Sequence, residues 1–458
     1  MVETNIEAKP TTIHPALDFT SEHAYVGQIV RERRFQSLQI ICDIRSILNF
    51  TDVNGEVSNV NLKCVNFKME QRWSSEGIDG FLNGKEPIKP SQLFARLRKL
   101  FRGYIELSDE RLYDFLTLWS IGTYFHWLFN AYPYVYVGGI SGTGKTKLLT
   151  LCSLICFNSV SSGAISTASL FRLIQSTKCS VFLDESDALS NRFGAFEVRN
   201  LLLCGYKKGQ RIYRAKRTDE GTFEAECFEV YSPKMLANIE GLEAVLSSRC
   251  IEIIMQRGSN RNITNREVII DYPIWQQIRD TIYPFMMKNW KEVKRTYLDL
   301  QNDTVLQSRN WELWKPIMAL AKFLGDVVLL EHIIDLAIEK AVESQLNTFE
   351  LSELVLIETL LSIVDHDGFY KLKDIKCEMV KHLDDFEYLS FRHAGSLLRK
   401  LGFSKTKRIG SGYQYYLTVS KVTSLAQILV ISEHSERSEH PGQQDTKTKQ
   451  ELVTEVVA

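Results

Sequence analysis

The chain lacks a charge excess of either sign: 55 Lys+Arg stand against 56 Asp+Glu in 458 residues, a formal net charge of -1. That balance argues against nucleic-acid binding by bulk positive charge, so any such contact must be local. The N-terminus has no basic start followed by an apolar core, which argues against a secretory signal. No CxxC pair occurs among the nine cysteines, and the helix-spaced Cys152 and Cys156 are followed by no matching His or Cys pair. Core thiols in a reducing cytoplasm are therefore expected, rather than zinc ligands or disulfides. No internal repeat of solenoid period is visible. What is present is the ordinary soluble mix, 44% hydrophobic and 24% charged. At roughly 100–200 residues per domain, about three domains fit.

One run tests the membrane question. From Phe115 to Gly144 there is no Asp, Glu, Lys or Arg, a length that would span a bilayer. Asn130 and Pro133 divide it into a helix and a buried strand, Tyr134–Val137. The strand leads into Gly139-Ile-Ser-Gly-Thr-Gly-Lys-Thr146, which fits G-x-x-x-x-G-K-[ST] and precedes an apolar helical run. A phosphate loop of this kind needs a soluble sheet, so no membrane span is expected.

The chemistry of the loop requires its residue types. Gly139, Gly142 and Gly144 let the backbone turn so that successive N–H groups, Ser141 and Thr143 included, face phosphate oxygens. Lys145 adds positive charge, the Thr146 hydroxyl is a ligand for Mg²⁺, and Lys147 lies beside them. Some forty residues on, Cys179-Ser-Val-Phe-Leu-Asp184-Glu185 is an apolar strand ending in two carboxylates. Asp184 suits the Mg²⁺ shell, and Glu185 suits a base that orients or deprotonates a water. ATP and Mg²⁺ are the expected cofactors.

The Asp-Glu pair and the segments after it resemble the AAA+ branch of P-loop ATPases. The resemblance implies that Asn238, ending the strand of EVYSPKMLANIEG, is the first sensor that positions the attacking water. Ser248-Arg249-Cys250 resembles the SRC box of clamp loaders, which implies that Arg249 reaches a neighbour's nucleotide, and therefore an oligomer with nucleotide at subunit interfaces, a hexameric ring among the sizes allowed. Arg309, in LQSRNWELWKPIMALAKFLGD with helical turns around Pro316, stands where such modules carry a second sensor arginine; Arg279 and Arg295 compete for that role. The motifs GGISGTGKTKLL, STASLFRLI, VFLDESDAL, LLLCGYKKGQRIYR, FEVYSPKMLANIEGLEAVLSSRCIEI and RNWELWKPIMALA, in that order, resemble AAA+-like ATPase domains of archaeal, plasmid and viral chromosomes, whose relatives end primase–helicase polypeptides. No primase-type domain is evident.

Local basic charge occurs twice. Gly205–Arg217 holds Lys207, Lys208, Arg211, Arg214, Lys216 and Arg217 with no acidic residue, and reads as the start of a β-hairpin whose Tyr206 or Tyr213 could stack on a base. A similar hairpin projects into the channel of minichromosome maintenance helicases. The alternative is a solvated face paired with Glu224, Glu226 and Glu229. Further on, three helices and two strands joined by Gly410-Ser-Gly412 give the order of a winged helix. Arg392, His393, Arg399 and Lys400 fall on or near its third helix, and Lys405, Lys407 and Arg408 on the wing.

The expected architecture is thus α/β. A flexible stretch at 1–20 and an α+β region at 21–106 precede a P-loop, AAA+-like core at 107–258. A helical lid at 259–345, a winged helix at 346–420 and a mostly disordered tail at 421–458 follow. The expected activity is Mg²⁺-dependent ATP hydrolysis coupled to DNA translocation, unwinding or remodelling in the cytoplasm, with DNA and further copies of the chain as partners. An ATP-driven protein remodeller and a nucleotide-switched DNA-binding regulator are the alternatives.

Overall fold

The chain opens on short β-branched and aromatic runs, which suit a pleated, half-buried surface. The computed structural model of the protein describes residues 11–32, 35–50, 60–62, 71–162, 167–184, 194–217, 221–238, 241–348, 351–382, 390–410 and 412–425. The opening runs form β1 (Thr11–Ile13), β2 (Leu17–Phe19), β3 (Ala24–Glu32), β4 (Phe35–Cys42), β5 (Ser46–Phe50) and β6 (Val60–Leu62). Strands β2 to β5 make an antiparallel meander, and β1 pairs in parallel with β6. Ile13, Ala16 and Leu17 are fully buried. The expectation of a flexible 1–20 is thereby corrected from Thr11 onward, because these apolar side chains gain more by burial than the segment loses by ordering; residues 1–10 lie outside the described residues. At the other end, Val422 is buried, while residues 426–458 of the expected tail lie outside the described residues.

Three helices follow: α1 (Ser75–Leu82), α2 (Pro90–Tyr104) and α3 (Glu110–Gly122). Asp109 caps α3 by accepting from the Arg111 N–H, and every residue from Leu112 to Gly122 is buried. From residue 115 on, α3 carries the start of the uncharged run, and no described helix is long and apolar enough to cross a membrane.

The second half becomes β7 (Tyr134–Gly138), buried along its whole length. Next come α4 (Lys145–Ile155), β8 (Val160–Ser162), α5 (Thr167–Thr177), β9 (Val181–Leu183) and α6 (Gly194–Cys204). The hairpin β10 (Arg211–Arg217) and β11 (Phe223–Glu229) precedes β12 (Lys234–Ala237), α7 (Ala244–Ser247) and β13 (Cys250–Ile254). The five-stranded sheet has the order β13-β7-β12-β9-β8, with every pairing parallel. A parallel sheet is stable only when both faces are covered, which is why its strands read as unbroken apolar runs. Its parallel direction puts all the strand ends that matter for chemistry on one edge.

Beyond the sheet lie α8 (Arg261–Thr264), α9 (Ile274–Asp299), α10 (Ser308–Leu324) and α11 (Val327–Thr348). The helical turns read on either side of Pro316 are one continuous helix, with Pro316 buried inside α10. Helix α9 anchors the N-terminal meander: Trp290 Nε1 donates to Asp43 at 2.7 Å, and the His23 ring lies 3.0 Å from the same carboxylate.

The chain divides into two compact units, Met1–Ala337 and Ile338–Ala458. The second contains α12 (Leu351–Ile363), β14 (Gly368–Lys371), α13 (Leu372–His382), α14 (Phe391–Lys400), β15 (Thr406–Ile409) and β16 (Gly412–Leu417). Its sheet has the order β14-β16-β15, antiparallel throughout. Leu356, Ile357, Ile375, Leu398 and Leu417 form its own core.

His126, in a single 3₁₀ turn before β7, is fully buried among Tyr231, Phe157 and Trp127. Its Nδ1 meets the Thr123 carbonyl at 2.7 Å, so Nδ1 carries the proton, and buried Nε2 has no partner among the described residues. Burial, reinforced by the charges of Lys178, Lys208 and Lys234, pushes its pKa from 6.5 down to about 3. The unfolded chain therefore takes the proton first. This contribution to stability is intact above pH 6.5 and is lost as pH falls toward 3, by about 1.4 kcal/mol per pH unit. Denaturant unfolding of His126→Phe should show a shallower loss of stability with falling pH than the parent protein; equal slopes would contradict this origin.

Candidate active site

The loop after β7 turns only because glycine allows it. Gly139, Gly142 and Gly144 have φ of 134°, 81° and 94°, values side chains resist. At Gly139 space is closed as well: a Cβ there would lie 2.4 Å from the Met255 carbonyl oxygen. Gly144 is the N-cap of α4, so the unpaired N–H groups of that helix and its positive dipole end open on the loop. The other end of α4 is neutralised. Arg72 donates to the carbonyls of Ser153 and Cys156 at 3.1 and 3.2 Å, Arg279 to Leu154 at 2.7 Å and Tyr124 to Ile155 at 2.8 Å. Arg279 is thus committed to the helix end, and Arg295 lies by exposed Glu292.

A cavity of about 750 Å³ opens in front of the loop, walled by Ser141, Gly142, Gly144, Lys145, Thr146, Lys147, Asp184 and Asn238 among others. Lys145 Nζ donates to the Gly139 and Ile140 carbonyls at 2.6 and 2.9 Å, which holds the ammonium over the loop. Lys147 leaves the loop to bind the Ile263 carbonyl at 2.7 Å, and burial beside Arg266 lowers its pKa. Gly139 and Thr143 stand behind this wall; Thr143 Oγ1 donates to the Ile140 carbonyl at 2.9 Å. Asp184 follows β9 and Asn238 follows β12, strands that lie side by side next to β7. Asn238 is held by Tyr136, whose hydroxyl donates to Oδ1 at 2.6 Å, and by the Gly241 backbone on both amide atoms. Among the described residues, one Nδ2 hydrogen is left over. Glu185 lies outside the described residues.

Sequence reasoning missed the opposite wall, Thr264, Asn265, Arg266, Glu267, Val268 and Ile270. Arg266 is fixed there by the Gly103 carbonyl at 3.1 Å and by the Tyr104 ring, 4.0 Å away. No spacing rule flags a loop brought in from more than a hundred residues downstream. The only local signal was the Asn260 cap of α8, whose side chain accepts from the Asn262 N–H.

Arg249 and Arg309 are elsewhere. The Arg249 carbonyl accepts from the Tyr134 N–H, at the start of β7 and β13, the edge of the sheet opposite to the cavity. Arg309 Nη1 donates to Ser248 Oγ at 2.6 Å on that edge. The reading of Arg309 as a sensor of its own chain's nucleotide is corrected: the strands of the sheet separate it from the loop. Tyr206 is also corrected as a base-stacking residue, because its ring is buried beneath Arg249 and Arg309.

The basic hairpin is partly spent on the chain itself. Lys207 pairs with Glu312 at 2.6 Å, Arg214 with Glu197, and Lys208 donates to the Trp127 carbonyl. In the β10–β11 register Arg211, Arg214 and Lys216 stand opposite Glu229, Glu226 and Glu224. Arg211, Arg217, Tyr213 and Phe223 are exposed, and residues 218–220 lie outside the described residues. In the second unit Arg392, His393 and Arg399 are exposed on α14, and Lys400 bonds Glu353 at 2.6 Å. Lys405, Lys407 and Arg408 are exposed on and before β15, with Lys405 4.3 Å above the Tyr416 ring.

A parallel sheet that delivers a glycine loop to a helix N-terminus is the arrangement of a P-loop NTPase fold. No family model and no curated protein sequence matches the chain. Among solved structures, one titled SCCmec type IV Cch, active helicase, is 14% identical with a TM-score of 0.43, covering 88% of this chain and 80% of that one. The apo C-terminal region of NrS-1 is 12% identical at 0.34, covering 86% and 96%. Aeropyrum pernix ORC1 in complex with DNA is 12% identical at 0.20, covering 79% and 96%.

The two loop glycines separate space from strain. A Cβ at Gly142 would meet nothing within 4 Å, so Gly142→Ala should cost only about 1–2 kcal/mol of backbone strain. Gly139→Ala must displace backbone and should lose nucleotide binding at least tenfold. Fluorescent-nucleotide titration and thermal melts of both variants check this; equal effects would refute the close approach.

Proposed function

We propose that the protein is a Mg²⁺-dependent ATPase of the AAA+-like P-loop kind that couples hydrolysis to translocation, unwinding or remodelling of DNA, as a replicative helicase or initiator would. The observation that carries this is the cavity in which the α4 N-terminus, Lys145 and Thr146 face Asp184 and Asn238 from adjacent strand ends. The residues fit the expected ligands: glycine backbone in a conformation that exposes N–H groups, one ammonium, and hydroxyl and carboxylate oxygens of the type a hard divalent cation takes. Thr146 and Asp184 would hold Mg²⁺, which supplies charge neutralisation at the phosphates when bound. Lys145 and the first-turn N–H groups of α4 orient the phosphate chain, and Asn238, stiffened by Tyr136, directs an amide hydrogen toward the reacting end. Glu185 is assigned as the base on its place in the sequence. Arg249 is assigned to the nucleotide of a neighbouring copy, which makes activity depend on assembly.

For DNA, the three-helix, three-strand order of the second unit supports a winged helix that presents Arg392, His393 and Arg399 on α14 and Lys405, Lys407 and Arg408 on the wing. The hairpin adds Arg211, Arg217 and Tyr213. Because Lys207, Lys208 and Arg214 are engaged within the chain, a second reading has specific support: a nucleotide-switched DNA-binding regulator whose contacts lie mainly on the second unit.

ATPase rate with and without single-stranded and duplex DNA separates the two readings. DNA should stimulate turnover severalfold; tight binding with very slow, unstimulated turnover would favour the switch. Lys145→Ala should lose nucleotide binding, while Glu185→Gln should bind ATP and not turn it over; normal turnover in Glu185→Gln would sink that assignment.

The pairing of charges within the chain predicts which basic residues matter. The double variant Arg211→Ala/Arg217→Ala should flatten the dependence of log affinity on log salt by about one for each phosphate that is no longer neutralised. Arg214→Ala should leave that slope unchanged, since its charge is already taken by Glu197. Salt titrations that rank them the other way would remove the hairpin from the interface.

A further inference from the structure

Two turns of the N-terminal meander bring three metal-ligating side chains together, away from the nucleotide cavity. The first turn holds His23 before β3: the Thr20 N–H donates to the His23 carbonyl at 2.9 Å, and Thr20 Oγ1 accepts from the His23 N–H at 3.0 Å. The second follows β4, where the Arg45 N–H donates to the Cys42 carbonyl at 3.0 Å and Arg45 takes a φ of 61°. Strands β3 and β4 pair with Tyr25 opposite Cys42, and the Asp43 N–H donates to the Ala24 carbonyl at 3.1 Å. The two turns therefore lie side by side. His23, Cys42 and Asp43 each offer a ligand atom within 4.8 Å of the other two.

The spacing is close to that of a coordination shell. His23 Nδ1 lies 3.0 Å from Asp43 Oδ1, and Cys42 Sγ lies 3.5 Å from the same oxygen. Ligand atoms around a tetrahedral zinc ion stand about 3.4–3.6 Å apart, given bonds of roughly 2.0–2.3 Å, so modest side-chain rotation admits an ion. Imidazole, thiolate and carboxylate are donors that a zinc-class ion takes, whereas Mg²⁺ and Ca²⁺ avoid sulfur. Thiolate and carboxylate together balance two positive charges, which matters where Cys42 is buried. Arg45, the nearest cation in sequence, is turned toward Glu86 at 3.6 Å. The His23 side chain is 30% exposed, so water reaches a fourth position.

The carboxylate is also held from outside the cluster. Trp290 Nε1, from α9, donates to Asp43 Oδ2 at 2.7 Å, which leaves Oδ1 to His23 and Cys42. A hydrogen bond on the far oxygen of a ligating carboxylate fixes its orientation. The buried Trp290 indole is itself seated against Phe19, with ring centres 5.6 Å apart.

We infer that His23, Cys42 and Asp43 bind a zinc-class divalent ion, with water as the fourth ligand and Trp290 as the positioning residue. Binding replaces the Cys42 S–H bond by a metal–sulfur bond, and the proton leaves to solvent. The ion ties both turns of the meander to α9, the helix whose Arg279 caps α4. Its role is structural, and the inference stands apart from the ATPase reading. It departs from the expectation that the cysteines are core thiols, because no local rule joins a Cys-Asp pair to a histidine in another turn.

The test uses the full chain, stripped with chelator and probed with Zn²⁺ or Co²⁺ alone. After equilibrium dialysis against Zn²⁺, elemental analysis should find an ion retained by the parent chain. Affinity should fall about tenfold or more in His23→Gln and in Cys42→Ser, and about tenfold in Trp290→Phe. Co²⁺ should give a thiolate charge-transfer band that Cys42→Ser abolishes and Cys377→Ser, at the exposed thiol, leaves intact. The nucleotide cavity cannot produce that band, since no cysteine lines it. Trp290→Phe should keep the band and shift the d–d bands of the ion, a change that loss of packing alone would not bring. Zn²⁺ should raise the melting temperature of the parent by several degrees and leave that of His23→Gln unchanged. No ion retained by the parent, or an equal thiolate band in Cys42→Ser, would overturn the inference and leave the three groups a hydrogen-bonded corner only.

Discussion

Helix α4 imposes the constraint on which the rest depends. Its amino end must remain open, with N–H groups unpaired and the dipole exposed, for the glycine loop to receive an anion. Its carboxyl end is buried, where bare carbonyls would be costly. Arg72, Arg279 and Tyr124 occupy those carbonyls. These come from three separate parts of the chain, the segment before α1, helix α9 and the turn after α3. Packing of the N-terminal region and of α9 against the sheet is therefore part of the site, although neither reaches the cavity from that side.

The parallel sheet then separates two chemistries. At the edge where the strands end, Asp184 and Asn238 face the loop and α4. At the edge where they begin, Arg249, Arg309 and Tyr206 form a cationic surface without a counter-ion among the described residues. On the proposed reading the loop edge takes the nucleotide and Arg249, on the other edge, serves a neighbouring copy. Helix α10 links the arginine edge, through Glu312 and Lys207, to the hairpin.

Much of the site was legible along the chain because its parts obey local rules. The glycines announce left-handed backbone and the apolar run before Asp184 announces a strand, whereas the helix read as far as Asn130 and Pro133 ends at Gly122 and gives way to a 3₁₀ turn. The second unit was legible for the same reason: amphipathic helices and a Gly-Ser-Gly turn are short-range features. Arg266 and its neighbours were not legible, because a loop becomes a wall only when the turn before α8 is held by Glu106, just past α2, which accepts from Ser259 and Asn260. Tyr206 misled for a similar reason: an aromatic beside two lysines reads as a stacking residue until its burial is known.

The near-zero net charge shows the same division. Sequence alone determined that basic residues concentrate at the hairpin and near the wing, since that is a matter of order along the chain. It also determined the glycine loop and the strand-end carboxylate, whose spacing is set by strand and turn geometry. Only the tertiary structure decided which charges are available: Glu312, Glu197 and Glu353 claim Lys207, Arg214 and Lys400, whereas Arg249 and Arg309 are left facing each other. Pairing across tens to hundreds of residues depends on how the elements pack, and no local pattern encodes it.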